Sequence, residues 1–238
     1  MNRIANAYLM FSAIALSMWS APAAAQIRIG VDIAVTGPAA AIGAPTKNAI
    51  LLWPKEIAGQ KVEYIILDDA SDPTNAVRNA RKLVSEEKVD LIVGPNTTPA
   101  ALAMLEVAAA AETPMVALAA SASIVEPQDA KRAWVFKLPQ NDSHMATILT
   151  QHMADNGIKT VAFIGFADAY GDSWWREFSH LAELRKIKVV AGERYNRNDT
   201  SVTGQILKIM SAQPDAVLIA ASATPAVLPQ KTLVERGY

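Results

Sequence analysis

The feature that most constrains this chain is the regular alternation of short, β-branched runs with longer helical patterns from residue 26 to residue 238. Parallel strands cannot be joined by a tight hairpin. They need a crossover, usually a helix laid on the sheet face, so repeated strand–helix–strand units imply parallel sheets covered by helices on both sides. Strands are expected at 26–34, 61–67, 89–93, 114–118, 133–138, 159–166, 188–195 and 216–221. A first helix is expected at 44–57, with Pro54 bending or ending it. The next is marked more clearly. Asp72 is a natural N-cap and Pro73 suits the first helical position, while Ala76, Val77, Ala80, Leu83 and Val84 recur at helical spacing. Further helices are expected at 98–111, 141–156, 171–186, 200–211 and 225–236, with Asn198, Asp199 and Thr200 supplying caps for one of them. The fold class is therefore α/β. A break between residues 119 and 140 divides the pattern into a first lobe, 26–120, and a second lobe, 140–238.

The first 25 residues read as an address. Arg3 gives a positive start, residues 7–19 are apolar except for Ser12 and Ser17, and Ala23-Ala24-Ala25 offers a small-residue cleavage site. A secretory signal cleaved after Ala25 is expected, with Gln26 as the mature start. A membrane anchor is the competing reading, but the apolar run is short of the roughly 20 residues a span needs. Lysine plus arginine number 22 against 23 aspartate plus glutamate, a net charge of −1, which argues against a nucleic-acid surface. With no cysteine, disulfides, thiolate metal sites and a cysteine nucleophile are all excluded.

In open parallel sheets, ligands bind beyond the carboxyl ends of the strands. Two of the expected loops there suit an anion. Thr97-Thr98-Pro99 puts hydroxyls where a helix starts, beside free N–H groups and the positive end of the helix dipole. Ala119 to Ser123 adds two more hydroxyls among small residues that leave the backbone accessible. Together they could hold a carboxylate with neutral donors; ordinary N-caps and a turn are the plainer alternative. Asp68-Asp69 could begin a magnesium or phosphoacceptor pocket, but no lysine follows a later strand to complete one, and these carboxylates are expected to satisfy loop N–H groups. After Gly37…Gly43, Ala44-Pro45 stand where a phosphate loop needs Lys-Ser/Thr. His144 and His152 are two helical turns apart, too far for a shared metal without other ligands. Trp174-Trp175 could line a cleft or pack on the sheet. No hydrolytic triad can be assembled, and neither a cofactor nor a metal is expected.

Several strings then converge. "GVDIAVTGPAAAIGAPTKNAI", "VEYIILDDASDPTNAVRNARKLV", "VDLIVGPNTTPAALAMLEVAAAAETPMVALAAS", "RAWVFKLPQND" and "KTVAFIGFADAYGDSW" resemble successive segments of the branched-chain amino acid (Leu/Ile/Val) binding family, the type I periplasmic binding proteins. The resemblance runs through residues 26–238, and the D-D-x-x-D-P motif followed by the Y-G motif is its most specific part. It implies two Rossmann-like lobes joined by a crossing segment, 121–139, that close on a ligand like a hinge. It implies a carboxylate held by Thr98, with Thr97 beside it, by the backbone of Ala119 and by Ser121. Tyr170 would contact the ligand from the second lobe. Ser222 falls near a position that is aromatic in amino acid binders, and Ile42 stands where some members carry a covering aromatic, so the cleft is expected to differ in shape.

The function implied is the substrate-binding component of an ABC importer in the periplasm, taking a branched-chain amino acid or an aromatic acid to an inner-membrane permease, and acting as a monomer. A ligand sensor of the same fold is one alternative. Another is an exported α/β hydrolase using Asp68, Asp69 or His144. Members of this family usually continue well past the point reached by Tyr238, and that later part carries the acidic partner of an amino acid's ammonium group. The chain thus reads as incomplete at the C-terminus, with both lobes expected to expose uncovered edges and apolar faces.

Overall fold

Each β-branched run forms a strand and each helical pattern a helix in the computed structural model, which describes residues 26–238. The expected signal segment and its cleavage point after Ala25 lie outside the described residues. The elements run β1 (Ile27–Ile33), α1 (Ala40–Ile50), β2 (Glu56–Ile57), β3 (Gln60–Asp68), α2 (Pro73–Ser85), β4 (Leu91–Val93), α3 (Thr98–Ala110), β5 (Met115–Ala117) and β6 (Val135–Lys137). They continue as α4 (Asp142–Asp155), β7 (Thr160–Phe166), α5 (Ala169–Leu184), β8 (Lys188–Tyr195), α6 (Thr203–Ser211), β9 (Ala216–Ala220) and α7 (Val227–Glu235).

The described residues fall into two compact units. The smaller contains Pro54–Glu63, where Glu56 pairs with Lys61 and Ile57 with Gln60 in an antiparallel hairpin. Its two turn residues, Ala58 and Gly59, both have positive φ (49° and 77°), the conformation that a two-residue hairpin of natural twist demands. The larger unit, Arg28–Trp53 and Tyr64–Tyr238, carries everything else. In it one sheet has the strand order β3-β1-β4-β5-β6 and a second has the order β8-β7-β9. The pairs β1–β4, β4–β5, β5–β6, β7–β8 and β7–β9 are all parallel, as the alternation of elements requires.

Burial follows from these layers. Under the first sheet, Ala76, Ala80 and Leu83 of α2 and Ala101, Met104 and Leu105 of α3 pack with Ile92 and Met115. The small alanines let the two helices lie close to the strands and to each other. The second sheet is covered on both faces. Val161 and Phe163 meet Trp174 and Phe178 of α5 on one side, while Ala162, Ile164 and Phe166 meet Ile206, Ile209 and Leu233 on the other. That alternation of inward residues along β7 is the period-two pattern of a strand buried on both faces. Trp174 and Trp175 pack on this sheet, Trp175 edge-on to Phe163 with ring centroids 5.1 Å apart.

Two expectations shift. The first helix occupies Ala40–Ile50, not 44–57, and contains Pro45. It begins early because the Gly37 turn closes straight into it, Ala40 N–H donating to the Gly37 carbonyl and Gly43 N–H to that of Ala39. Its first turn lies against the loop after β1, so close that a Cβ on Gly43 would sit 1.9 Å from the Ala34 carbonyl oxygen. The segment Asn198-Asp199-Thr200 does not cap a helix. Asp199 turns back to accept the Asn196 N–H at 2.7 Å, and α6 starts only at Thr203, behind Val202, with no side-chain cap. The 121–139 segment contains a 3-10 turn at Ala122–Ile124 and the strand β6, which pairs in parallel with β5.

Candidate functional site

All strands of a parallel sheet end on the same edge, and register decides which loops leave side by side. In the first sheet Val31 pairs with Val93, and Val93 with Val116, so the loops after β1, β4 and β5 converge. They are tied together: Asn96 Oδ1 accepts the Ala34 N–H at 3.1 Å, and the Leu118 N–H donates to the Pro95 carbonyl at 3.0 Å. Gly94 makes the approach possible. Its φ is +108°, and a Cβ there would sit 1.9 Å from the Asp32 carbonyl oxygen.

Thr97 and Thr98 stand at the start of α3, 5% and 1% exposed. Neither hydroxyl has a hydrogen-bond partner among the described residues, and Thr97 makes no side-chain cap bond. A buried hydroxyl left unsatisfied costs about 1–3 kcal/mol. Two of them, beside the free N–H groups of a helix start, form a polar spot with open hydrogen-bonding capacity. Ala119 is buried after β5. Ser121, fully buried, is already engaged: its hydroxyl bonds to Ser123 Oγ at 2.8 Å and to Ser173 Oγ at 2.9 Å, and Ser173 in turn bonds to Asp142. Ser121 therefore ties the loop after β5 to α5.

Behind this edge lie three carboxylates in distinct states. Asp68 takes the Thr36 hydroxyl at 2.6 Å and the N–H groups of Val35, Thr36 and Ala70. Partial burial pulls its pKa upward, but these donors outweigh it and hold the group below the usual range. Asp69 and Asp32 go the other way. Burial raises Asp69 to about 6, against the pull of the Ser71 N–H, and raises Asp32 to about 8, against its bond from Asn79. Both are fully buried, and each has one carboxylate oxygen without a partner among the described residues. The Asp68-Asp69 pair thus closes loops, as the sequence suggests, and Asp32 joins it from the neighbouring strand.

The second sheet builds its edge by the same geometry. Phe166 pairs with Tyr195, and Gly165 with Ala220. Two residues beyond Phe166, Tyr195 and Ala220 stand Asp168, Arg197 and Ser222, so the register delivers these three side chains to one place. Arg197 Nε donates to Asp168 Oδ2 at 2.7 Å, and its Nη1 lies 3.5 Å from Ser222 Oγ. The other Asp168 oxygen caps α5, accepting the N–H groups of Tyr170 and Gly171 at 2.9 and 3.3 Å. The guanidinium lies 4.1 Å from the centroid of the Phe166 ring and 5.9 Å from that of Tyr170. Tyr170 itself packs between Phe166 and Trp174, and burial raises its phenol pKa.

An open crevice of about 500 Å³ has Gly37 and Pro38, from the loop after β1, on one wall and Arg197, Thr200, Pro225 and Leu228 on the other. Of the residues singled out from sequence, Tyr170 and Ser222 adjoin this crevice through Arg197, while Thr97, Thr98, Ala119 and Ser121 group at the first edge and do not line it. Arg197 was not singled out from sequence. Its signal was a charged residue two positions past a strand end, level with Asp168 after the neighbouring strand.

A family model described as periplasmic binding protein matches residues 26–238. The Leu/Ile/Val-binding protein homolog 7 of Brucella abortus (strain 2308) is 26% identical over 242 residues, covering 97% of this chain and 61% of that protein. The chain thus spans less than two thirds of that relative's length. Among solved structures, an extracellular ligand-binding receptor from Rhodopseudomonas palustris HaA2 is 48% identical with a TM-score of 0.88, covering 90% of this chain and 59% of that one. A solute binding protein of an ABC transporter from Rhodopseudomonas palustris BisB5, in complex with 3,4-dihydroxy benzoic acid, is 27% identical with a TM-score of 0.82, covering 89% of this chain and 59% of that one.

Proposed function

The chain belongs to the periplasmic binding protein family, and on that footing we propose that it captures a small carboxylate in the periplasm and delivers it to an ABC-type permease in the inner membrane. Export follows from the signal read in residues 1–25, with cleavage after Ala25. Capture proceeds by closure of two lobes, 26–120 and 140–238, about the segment 121–139. The observation that carries the reading is the pair of buried, unpartnered hydroxyls of Thr97 and Thr98 at the start of α3. A carboxylate oxygen there accepts from hydroxyls and helix N–H groups together, which removes the cost of leaving them unsatisfied. Ala119 adds a backbone donor beside them. Tyr170 and Ser222 belong to the opposing wall, and Ser121 holds the two sides in register through Ser173. The Brucella relative is named for Leu/Ile/Val binding and the BisB5 protein holds an aromatic acid, so amino acids and aromatic acids are the two cargo classes to test first.

Closure needs a ligand that favours the closed state over the open one, and contacts from both lobes supply that difference. The test is a thermal-shift screen of the intact protein against amino acids, aliphatic acids and aromatic acids. A cargo present at about 100 times its Kd adds about 2.7 kcal/mol of stability. A shift confined to one class identifies the cargo. No shift with any carboxylate overturns the reading.

A further inference from the structure

The open crevice has a cation built into its wall, Arg197, that a carboxylate seated at Thr97 and Thr98 leaves without a role. Arg197 has a side chain only 12% exposed, so its charge must be matched. Asp168 matches it, but through Nε alone. Asp168 cannot follow the guanidinium if it moves, because its second oxygen is fixed as the N-cap of α5. The ring of Phe166, its centroid 4.1 Å from the guanidinium carbon, covers one side of the group. What remains is the terminal edge, the two Nη groups. Among the described residues these make a single contact, the 3.5 Å approach to Ser222 Oγ, which is at the outer limit of a hydrogen bond. A guanidinium whose Nε is paired and whose face lies against a ring presents its Nη fork, which matches a carboxylate in the bidentate geometry.

Two other charged groups line the crevice. Asp199 is occupied by the Asn196 N–H, and Lys231 is an exposed residue beside Glu235 on its own helix. Arg197 is therefore the least exposed cation on this lining among the described residues, its side chain 12% exposed.

We propose that Arg197 is the charge selector of the cleft: its Nη edge receives the carboxylate group of the cargo, while Asp168 and Phe166 hold the guanidinium in place behind it. The inference rests on the reading of the cargo as a carboxylate but seats its anion on Arg197, in the crevice that Thr97 and Thr98 do not line, and adds the group that separates a carboxylate from its neutral isostere. Neutral hydroxyls such as those of Thr97 and Thr98 bond a carboxylate or an amide oxygen alike. A guanidinium fork favours the anion.

The experiment is a calorimetric titration of the intact protein, of Arg197→Gln and of Arg197→Lys with benzoate, 4-hydroxybenzoate, isovalerate and leucine, each beside its amide. The wild type is expected to prefer one of these carboxylates over its amide. In Arg197→Gln that preference should fall by about 10–100-fold, the worth of a charge-assisted pair, with amide affinity nearly unchanged. Arg197→Lys, which keeps the charge but not the fork, should recover part of the preference. It also serves as the readout if Arg197→Gln fails to fold, and is then expected to lose affinity for the carboxylate alone. A carboxylate preference that survives unaltered in either variant overturns the inference and leaves Arg197 as the structural partner of Asp168, with the cargo reading intact. If the wild type binds none of the carboxylates, the cargo reading and the inference fall together.

Discussion

At the carboxyl edge of the first sheet, Asp32 and Asp69 are buried carboxylates, each with one oxygen unpartnered among the described residues, and the buried hydroxyls of Thr97 and Thr98 have no partner among them. At the edge of the second sheet, Asp168 and Arg197 are paired at 2.7 Å, capped onto α5 and stacked on Phe166. Both edges are built by parallel strands in register, with small residues letting loops crowd together. The difference lies in how polarity is matched. On the second edge the protein supplies its own counter-charge, so the arrangement is stable without help. On the first edge it does not, so polar atoms there wait on a proton or on an external group. An edge with matched charge holds its shape before a ligand arrives, whereas an edge with unmatched polarity depends on a proton or a ligand to satisfy it.

The comparison is broken most sharply by pH. Burial places Asp32 at about 8 and Asp69 at about 6, both above the ordinary 3.8, so the folded protein holds these protons more tightly than the unfolded chain does. Their contribution to stability is fully present below about pH 4 and is lost as pH rises, through about 6 for Asp69 and through about 8 for Asp32. Asn at position 32 keeps the shape and the acceptor for Asn79 but carries no proton to lose. Relative to Asp32→Asn, the wild type should lose stability between pH 4 and pH 8, on the order of 3–5 kcal/mol in total and about 1.4 kcal/mol per pH unit at most. Urea denaturation of both proteins across that range measures it. Parallel profiles would mean that Asp32 is not protonated in the fold, and the contrast between the edges would vanish.

A smaller effect should come from the second edge. Asp168→Ala removes both the cap of α5 and the partner of Arg197 and should cost about 2–3 kcal/mol. Asp168→Asn retains an oxygen that can cap, so it separates the two roles. If the alanine and asparagine variants lose the same amount, the ion pair with Arg197 carries the loss and the cap does not.

How much of this could be read from the chain differs between the edges for the same reason. Periodicity and punctuation placed β7, α5 and β8, and the Asp72-Pro73 start of α2 is as the residues predict: the Asp72 side chain accepts the N–H groups of Thr74 and Asn75. Thr97 and Thr98 drew notice as hydroxyls next to Pro99, a local signal. Arg197 and Asp168 are 29 residues apart, and only the pairing of Phe166 with Tyr195 brings them together. Register across a sheet is a tertiary quantity, invisible to a reading that runs along the chain. The same holds for α1. Its early start depends on Gly43 fitting against the Ala34 carbonyl, and the glycine and proline around it suggest a loop when read locally. Asp199 misled by the same route, since a good capping residue closed its own loop through Asn196.

The smallest expected change in stability is also the one that decides what the first edge is for. Thr98→Val replaces a buried, unpartnered hydroxyl with a methyl group of similar size. If Thr98 served as a structural cap, the substitution should cost about 1 kcal/mol. With the hydroxyl bonding nothing among the described residues, stability without ligand should instead stay level or rise by up to about 1 kcal/mol, because a desolvated polar group has been removed. Affinity for whichever carboxylate the thermal-shift screen identifies should move the opposite way, falling roughly tenfold through the lost hydrogen bond. Chemical denaturation and ligand titration on the same protein read the two effects separately. A binding residue gives up stability in the empty protein for affinity in the loaded one, and only such a residue shows the two changes with opposite sign. Loss of both together would return Thr98 to the fold and leave the first edge without a partner for a carboxylate.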